Sequence, residues 1–448
     1  MKRLFGTDGI RGLAGVHPLD PPTVRRFGAA LADVLAETDG GVPSVVLGHD
    51  TRESGTWLRD ALAAGLAARG AGSVDAGVIT TPGLARVAQT GPFRAGVMIS
   101  ASHNPFADNG LKVFGHDGTK LPDRFEIEIE SRMLDSCMAT PAEAPCSLQE
   151  DASLVRGYLE YLEGSVAAGG RLRGMRLLLD CANGSACGIA PEAFRHHGAS
   201  VETIGASPDG RNINLGCGSL HLDALSEAVR SGGFDLGIAF DGDADRALAV
   251  DRRGRAVDGD HILYLAARGL RRRGRLRGEV VVATIMSNLW LEKKLADEGI
   301  RMLRAPVGDK YVYERMVAEE AVLGGEQSGH VIFRDCSQTG DGILTALSLL
   351  DFLRDEERPL ESILDAIVPY PQVLLNVKVR RKPDLVLHPS IGPVVSRAEA
   401  ELAGSGRVLL RYSGTEPLAR VMVEGRDDAL VRRLAAEIAD TIRRDLGA

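Results

Sequence analysis

In AFDGDADRALAV, Asp241, Asp243 and Asp245 alternate with Gly242 and Ala244 directly after an apolar run. Read as an extended segment, this alternation puts three carboxylates on one side. Carboxylates so close repel unless a cation joins them, and hard oxygen ligands without Cys or His favour Mg2+ over zinc. A calcium EF-hand also begins Asp-x-Asp-x-Asp, but it needs glycine at its sixth position and glutamate at its twelfth, where this chain has Arg246 and Arg252. Mg2+ held by carboxylates with an open position suits phosphoryl transfer, in which the ion neutralises charge on the phosphoryl oxygens.

Three other segments carry polar groups at turns. GVMISASHNPFADNGLKVFG sets Ser100, Ser102, His103, Asn104 and Asn109 in a loop between two apolar strands. The loop either hydrogen-bonds its own backbone or presents a serine nucleophile. In LGGEQSGHVIF, Glu326, Ser328 and His330 alternate between glycines. An extended stretch would face them one way, toward sugar hydroxyls; a polar turn between strands would serve only the chain. VLLRYSGTEPLARVMVEG offers Arg411, Ser413, Gly414, Thr415 and Arg420 around a glycine-containing loop. Guanidinium groups, hydroxyls and free backbone N–H groups together make a phosphate cradle, which is neither a Walker loop nor a Gly-x-Gly-x-x-Gly motif.

The elements that must hold these loops read as α/β. Val24, Phe27, Leu31 and Leu35 recur at helical spacing from Pro21 to Thr38, with Asp20 placed to cap. VPSVVLG and SVDAGVI read as strands, with a helix through Arg69 that Ser54 can cap between them and another from Thr81 to Gln89 after them. Strands alternating with helices imply parallel pairing. The pattern restarts after the polar stretch 136–152, and again after the hairpin-like LAVDRRGRAV. Past Pro369 and Pro371 it changes to strands LLNVKVR, RVLLR and ARVMVEG with a final helix from Asp428 to Leu446. The fold class is therefore three successive α/β domains with mixed sheets plus a smaller C-terminal α+β domain. The domains are expected at 1–150, 151–254, 255–368 and 369–448.

A chain of 448 residues exceeds one core, and its 44% hydrophobic and 25% charged residues are those of a globular protein. The net charge of −8 and the lack of a dense basic stripe argue against nucleic acid; the run Arg271–Arg277 is expected to finish a helix C-terminus. The six cysteines show no zinc spacing and read as free thiols. No leader follows the two basic residues of MKRLFGTDGIRG, and no apolar stretch is long enough to span a bilayer, so a cytoplasmic protein without membrane partners is expected.

Taken in order, SASHNP, DGDADR, GEQSGH and RYSGTEP resemble the four loops of the α-D-phosphohexomutase superfamily, one in each inferred domain. FGTDGIRG and the glutamine of GEQSGH resemble its amino-sugar branch. The resemblance implies four domains around a central cleft and a hexosamine phosphate as substrate, feeding cell-wall amino-sugar nucleotides. It implies that Ser102 carries the phosphoryl group and joins Asp241, Asp243 and Asp245 on one Mg2+. Glu326 and Ser328 would hold sugar hydroxyls. Arg411, Ser413, Gly414, Thr415 and Arg420 would hold the other phosphate. Arg11, Lys112 and Arg246 would supply positive charge, with Lys112 and His330 as candidate acid and base and His103 as a further possibility. Glucosamine 1,6-bisphosphate or a kinase would prime the serine. A monomer or homodimer is compatible with all of this. The alternatives are the same chemistry on glucose or mannose phosphates, a phosphatase, or a sugar-phosphate sensor without turnover.

Overall fold

The computed structural model describes residues 4–6, 8–39, 41–135, 137–142, 148–166, 171–413 and 417–448. It comprises two compact units, Met1–Met286 with Ile300–Ser362, and Ser287–Gly299 with Ile363–Ala448.

The first sheet of the first unit is built from β1 (Ile10–Leu13), α1 (Pro21–Asp39), β2 (Ser44–His49), α2 (Ser54–Ala67), β3 (Gly72–Val78), α3 (Thr81–Thr90), β4 (Ala95–Ile99), β5 (Asp108–Gly115), α4 (Asp123–Leu134), β6 (Gln149–Glu150) and α5 (Ala152–Ser165). The helical spacing of α1 buries Val24, Phe27 and Leu31 against Leu58 and Leu62 of α2 and against Leu47 and Val97 of the sheet. Each such side chain contributes about 1.5–3 kcal/mol. Asp20 caps α1 by accepting from Thr23 N–H at 3.0 Å. At α2 the expected serine cap is absent. The helix already includes Ser54, whose Oγ instead accepts from Asn109 Nδ2 at 2.8 Å.

The second sheet contains β7 (Arg176–Asp180), α6 (Ala190–His196), β8 (Ser200–Ile204), α7 (Asp223–Gly232), β9 (Leu236–Phe240), β10 (Ala247–Asp251) and β11 (Ala256–Val257). After α8 (Gly259–Arg272) come β12 (Val280–Thr284), α9 (Leu289–Asp297, in the second unit), β13 (Arg301–Ala305), α10 (Asp309–Ala318), β14 (Leu323–Gly325), β15 (Val331–Phe333), α11 (Gly342–Arg354) and α12 (Leu360–Asp365).

The three sheets share one strand order without any visible sequence repeat: β5-β4-β2-β3, β10-β9-β7-β8 and β15-β14-β12-β13. In each, three strands run parallel and the first named returns antiparallel on its neighbour. The SASHNP, DGDADR and GEQSGH loops are therefore the same connection in each sheet, the turn from the last parallel strand into its antiparallel partner. The second unit holds β16 (Gln372–Lys378), α13 (Ile391–Leu402), β17 (Gly406–Tyr412), β18 (Leu418–Gly425) and α14 (Asp428–Leu446) in an antiparallel sheet of order β16-β18-β17.

The arginine run finishes α8 as the dipole argument requires, and carboxylates neutralise it: Arg271 pairs with Glu279 at 2.8 Å, Arg272 with Glu356 at 2.7 Å and Arg273 with Asp351 at 2.5 Å. Cys137, Cys181, Cys187, Cys217 and Cys336 are free; Cys146 lies outside the described residues. Among the described residues no helix is long and apolar enough to cross a membrane.

Asp341 caps α11 through Leu344 N–H at 2.9 Å and accepts from Tyr158 Oη at 2.9 Å. Burial pushes its carboxyl up to about 6. An acid raised in the folded state adds stability that is complete below its unfolded value and is lost as pH rises through about 6. Asp341→Asn keeps the cap acceptor and drops the charge. Its thermal stability should fall less than that of wild type between about pH 4 and pH 7, by up to about 3 kcal/mol. Melting curves across that range check this; parallel pH slopes would contradict it.

Candidate active site

The parallel strands β2, β3 and β4 end together, and each runs into polar residues: Asp50 and Arg52 after β2, Thr80 and Thr81 after β3, and Ser100 and Ser102 after β4. Such carboxyl ends are where ligands bind in α/β sheets. Ser102 is buried, with a left-handed φ of 52°. Its N–H donates to Ser100 Oγ at 2.9 Å, and Ser100 Oγ donates to Asp50 at 2.6 Å. Arg52, its guanidinium fully buried, pairs with Asp50 at 2.9 Å. It also donates to the carbonyls of Ser102 at 2.9 Å, Asn104 at 2.8 Å, Asp108 at 3.1 Å, and Pro105. One side chain thus fixes the loop that presents Ser102. Arg52→Met leaves Asp50 buried without its cation and should cost about 3–5 kcal/mol. Calorimetry should show a lower first unfolding transition, and an unchanged one would contradict the assignment.

Asp241, Asp243 and Asp245 place one carboxylate oxygen each within 4.8 Å of one another. They do not converge by the expected extended alternation. Residues 241–246 form a turn in which Ala244 takes φ 53°. The turn is closed around Gly242, where an added Cβ would stand 2.7 Å from Ser102 O. Ser102 Oγ donates to Asp241 Oδ2 at 2.5 Å, so the serine loop and the carboxylate loop meet at the hydroxyl.

The cluster fits a hard divalent cation. Asp243 Oδ1 and Asp245 Oδ1 are buried without a hydrogen bond, which is costly unless a ligand supplies one. Burial, with the charges of Asp245 and Asp243, pushes Asp241 well above the usual carboxyl range. Burial also opposes ionisation of Asp245, but Lys112 and His330 hold it well below that range.

Lys112 lies on β5 and reaches Asp243 at 2.8 Å, Asp8 at 3.3 Å and Asp245 at 3.4 Å. Burial opposes its charge, yet Asp243, Asp8 and Asp245 raise its pKa above the ordinary lysine value, so it stands as a fixed ammonium. His330 lies 3.6 Å from Asp245 and 3.7 Å from Asp309, and its Nε2 accepts from Gly340 N–H at 3.0 Å. That contact leaves the proton of the neutral ring on Nδ1, facing Asp245. Burial lowers its pKa, but Asp245 and Asp309 raise it beyond the ordinary value. His103, 3.3 Å from Ser102 Oγ, is pushed down to about 4 by burial, Arg246 and Arg11, and so stays neutral near pH 7. Arg11 pairs with Asp8 and donates to Ala101 O at 3.4 Å. Arg246 donates its N–H to Asp241 at 3.1 Å and lies 3.8 Å from Asp245.

The extended reading of Glu326, Ser328 and His330 is overturned. Residues 326–329 are the hairpin turn between β14 and β15, closed by Glu326 N–H to His330 O at 2.9 Å. Glu326 accepts from Gly308 N–H at 3.0 Å, and Ser328 Oγ stands 3.5 Å from it. Gln327 turns to Asp258 at 3.2 Å. In the second unit, Arg411 and Arg420 oppose each other across β17 and β18. Burial, and after it the neighbouring Arg420, lower Arg411 from its ordinary value, and two cations set side by side are an arrangement an anion relieves. Ser413 is buried and its carbonyl accepts from Lys382 at 2.7 Å. Gly414 and Thr415 lie outside the described residues.

Sequence reasoning passed over Asp8, Asp50, Arg52, Thr81, Lys120, Asn214 and Asp309. Thr81 Oγ1 donates to Asp243 at 2.5 Å and Asn214 Nδ2 to Ser102 O at 2.9 Å. The available signal was position: Asp50, Arg52 and Thr81 follow apolar strands directly, at the edge where parallel sheets bind ligands.

A repeated α/β unit that brings a buried serine to a carboxylate cluster able to hold a divalent cation suits phosphoryl transfer. Residues 2–137, 156–254 and 258–370 match alpha/beta/alpha domains I, II and III of the phosphoglucomutase/phosphomannomutase family, and 374–441 match its C-terminal domain. The chain belongs to that family. It is 52% identical to a protein of Solibacter usitatus named phosphoglucosamine mutase, over all of this chain and 99% of that one. It is 48% identical to one of the same name from Symbiobacterium thermophilum, over the full length of both. Its fold is similar to the crystal structure of a phosphoglucomutase/phosphomannomutase family protein from Burkholderia thailandensis, with TM-score 0.79, 23% identity, and 99% and 98% of the two chains covered.

Proposed function

We propose that this chain interconverts glucosamine 6-phosphate and glucosamine 1-phosphate by way of phospho-Ser102 and glucosamine 1,6-bisphosphate. The observation that carries the chemistry is Ser102 Oγ, 2.5 Å from Asp241 in a cluster with two unbonded buried carboxylate oxygens. The shared name of the full-length relatives supports the amino sugar. The Oγ–P bond of phospho-Ser102 breaks as a bond forms from phosphorus to the free O1 or O6 of the sugar. After the bisphosphate turns around, its other phosphoryl group returns to Ser102. The sugar hydroxyl loses its proton in the first transfer and the other position regains one in the second.

One Mg2+ per chain, held by Asp241, Asp243, Asp245 and the phosphate on Ser102, would neutralise charge on the transferring group. Lys112, Arg11 and Arg246 hold fixed positive charge beside it. His330 is the group we assign to proton movement, with Lys112 contributing as the ammonium that the added phosphoryl charge holds in place. Glu326 and Ser328 recognise sugar hydroxyls, and the facing Arg411 and Arg420, with Ser413, Gly414 and Thr415, recognise a phosphate. The domain limits that accompany this reading are 1–150, 151–254, 255–368 and 369–448. Cytoplasmic location and priming of Ser102 by glucosamine 1,6-bisphosphate or a kinase complete it.

The test is Mg2+-dependent turnover of glucosamine 6-phosphate beside glucose and mannose 6-phosphates. Faster turnover of the amino sugar supports the assignment. Preference for a neutral hexose would keep the chemistry and replace the substrate.

A further inference from the structure

Six side chains close a ring in which acids and bases alternate: Asp8, Lys112, Asp245, His330, Asp309 and Lys120. Lys112 Nζ lies 3.3 Å from Asp8 and 3.4 Å from Asp245. His330 Nδ1 lies 3.6 Å from Asp245, and its Nε2 3.7 Å from Asp309. Lys120 Nζ closes the ring at 2.5 Å from Asp309 and in direct contact with Asp8. Lys120 is itself anchored, because its backbone bridges Phe114 on β5, the strand that carries Lys112.

We infer that Lys120 is a positioning residue for the mutase reaction, whose ammonium, clamped between Asp8 and Asp309, sets the placement of Lys112 and His330. The inference rests on the roles proposed above for those two residues. Asp8 comes from the first segment of the chain and Asp309 from the start of α10, and their like charges face each other across Lys120. Remove that cation and the two carboxylates repel. Asp8 then draws Lys112 away from Asp243, while Asp309 no longer holds its place beside the imidazole. Lys120 touches neither the carboxylate cluster nor Ser102, so any effect it has on the reaction passes through its neighbours. A cavity of about 290 Å3, lined by Lys120 with Thr119, Asp309, Lys310 and Tyr313, borders it. An uncharged chain of similar length therefore fits without crowding.

The experiment measures kcat and KM for glucosamine 6-phosphate with Mg2+ in wild type, Lys120→Met and Lys120→Arg, alongside the first unfolding temperature of each. Lys120→Met should lose about 10- to 100-fold in kcat, the scale of a misplacement of about 1 Å, with KM within about threefold of wild type. Lys120→Arg restores the charge and should recover about tenfold of that loss. An unchanged kcat in Lys120→Met overturns the inference. So does a Lys120→Arg variant no faster than Lys120→Met, or a kcat loss that comes with a matching rise in KM and a collapsed first transition. Should Lys120→Met fail to fold, Lys120→Met/Asp309→Asn removes one of the facing carboxylates. That double variant is expected to fold and turn over more slowly than wild type, and wild-type kcat in it would overturn the inference. A wild type without mutase activity would refute the functional reading instead.

Discussion

Ser102→Ala should abolish interconversion, with kcat down on the order of 10^5-fold or more, because the variant lacks the hydroxyl that carries the phosphoryl group in the proposed reaction. The variant should fold normally. The left-handed φ of 52° at this residue is held by Arg52 and Asn214 on its carbonyl and by Ser100 on its N–H, and none of these contacts uses the hydroxyl. What disappears is the hydroxyl bond to Asp241, an acceptor that burial and neighbouring charge already push above its ordinary value, and the 3.3 Å contact with His103 Nδ1. The check is kcat with the unfolding profile, together with mass spectrometry of the peptide containing Ser102. Loss of turnover with loss of that phosphopeptide and an unchanged melting curve is the expected result. Retained turnover would remove Ser102 from the reaction.

Asp241→Asn has the second largest expected effect, and its sign differs between activity and stability. The asparagine can still accept from Ser102 Oγ through its side-chain oxygen, but it cannot neutralise a divalent cation. Turnover should fall about 10^2- to 10^3-fold, the scale seen when one preorganised charge-stabilising group is lost. Stability without metal should move the other way. Burial and the charges of Asp245 and Asp243 raise the Asp241 carboxyl in the folded state. Such a group adds stability at low pH that is lost as pH rises through its folded pKa. This group should therefore cost metal-free wild type stability as pH rises through the folded pKa of Asp241, and Asp241→Asn should lose less. Mg2+ should restore wild type by mass action and leave the variant nearly unmoved. Melting curves with chelator and with Mg2+ check this, and equal Mg2+ responses in the two proteins would show that the cluster is not the metal site.

The groups of this site that lie within one loop were legible in the sequence; those assembled from several segments were not. Ser102 and the three aspartates stand out because the residue types sit side by side after an apolar strand. Their geometry was less legible, since Gly242 and Ala244 suit an extended segment and a turn equally, and only Ala244 at φ 53° decides between them. The same ambiguity made the GEQSGH hairpin turn resemble an extended stretch. Lys120 and Asp309 read like solvated charges, because they pair across 189 residues of sequence, and Arg52 reads the same way because, beyond its neighbour Asp50, the carbonyls it holds lie 50 to 56 residues on. At the level of the fold, α1 and α14 were legible from their periodicity. The strands SVETI and RMLRA at the sheet edges are not, because half-exposed edge residues break the apolar pattern. The common strand order of the three sheets was invisible for a related reason: it is a property of pairing and leaves no repeated residues.

The central claim, that the phosphoryl group passes through Ser102 to the sugar and back, is tested most directly by single turnover. Protein carrying isotopically labelled phosphate on Ser102 is mixed with glucosamine 6-phosphate and Mg2+, and the label is followed by mass spectrometry. The account requires the label to leave Ser102 and to appear in glucosamine 1,6-bisphosphate and then glucosamine 1-phosphate. Label released as inorganic phosphate would make the protein a phosphatase, and label that stays on Ser102 while substrate is bound would make it a sensor.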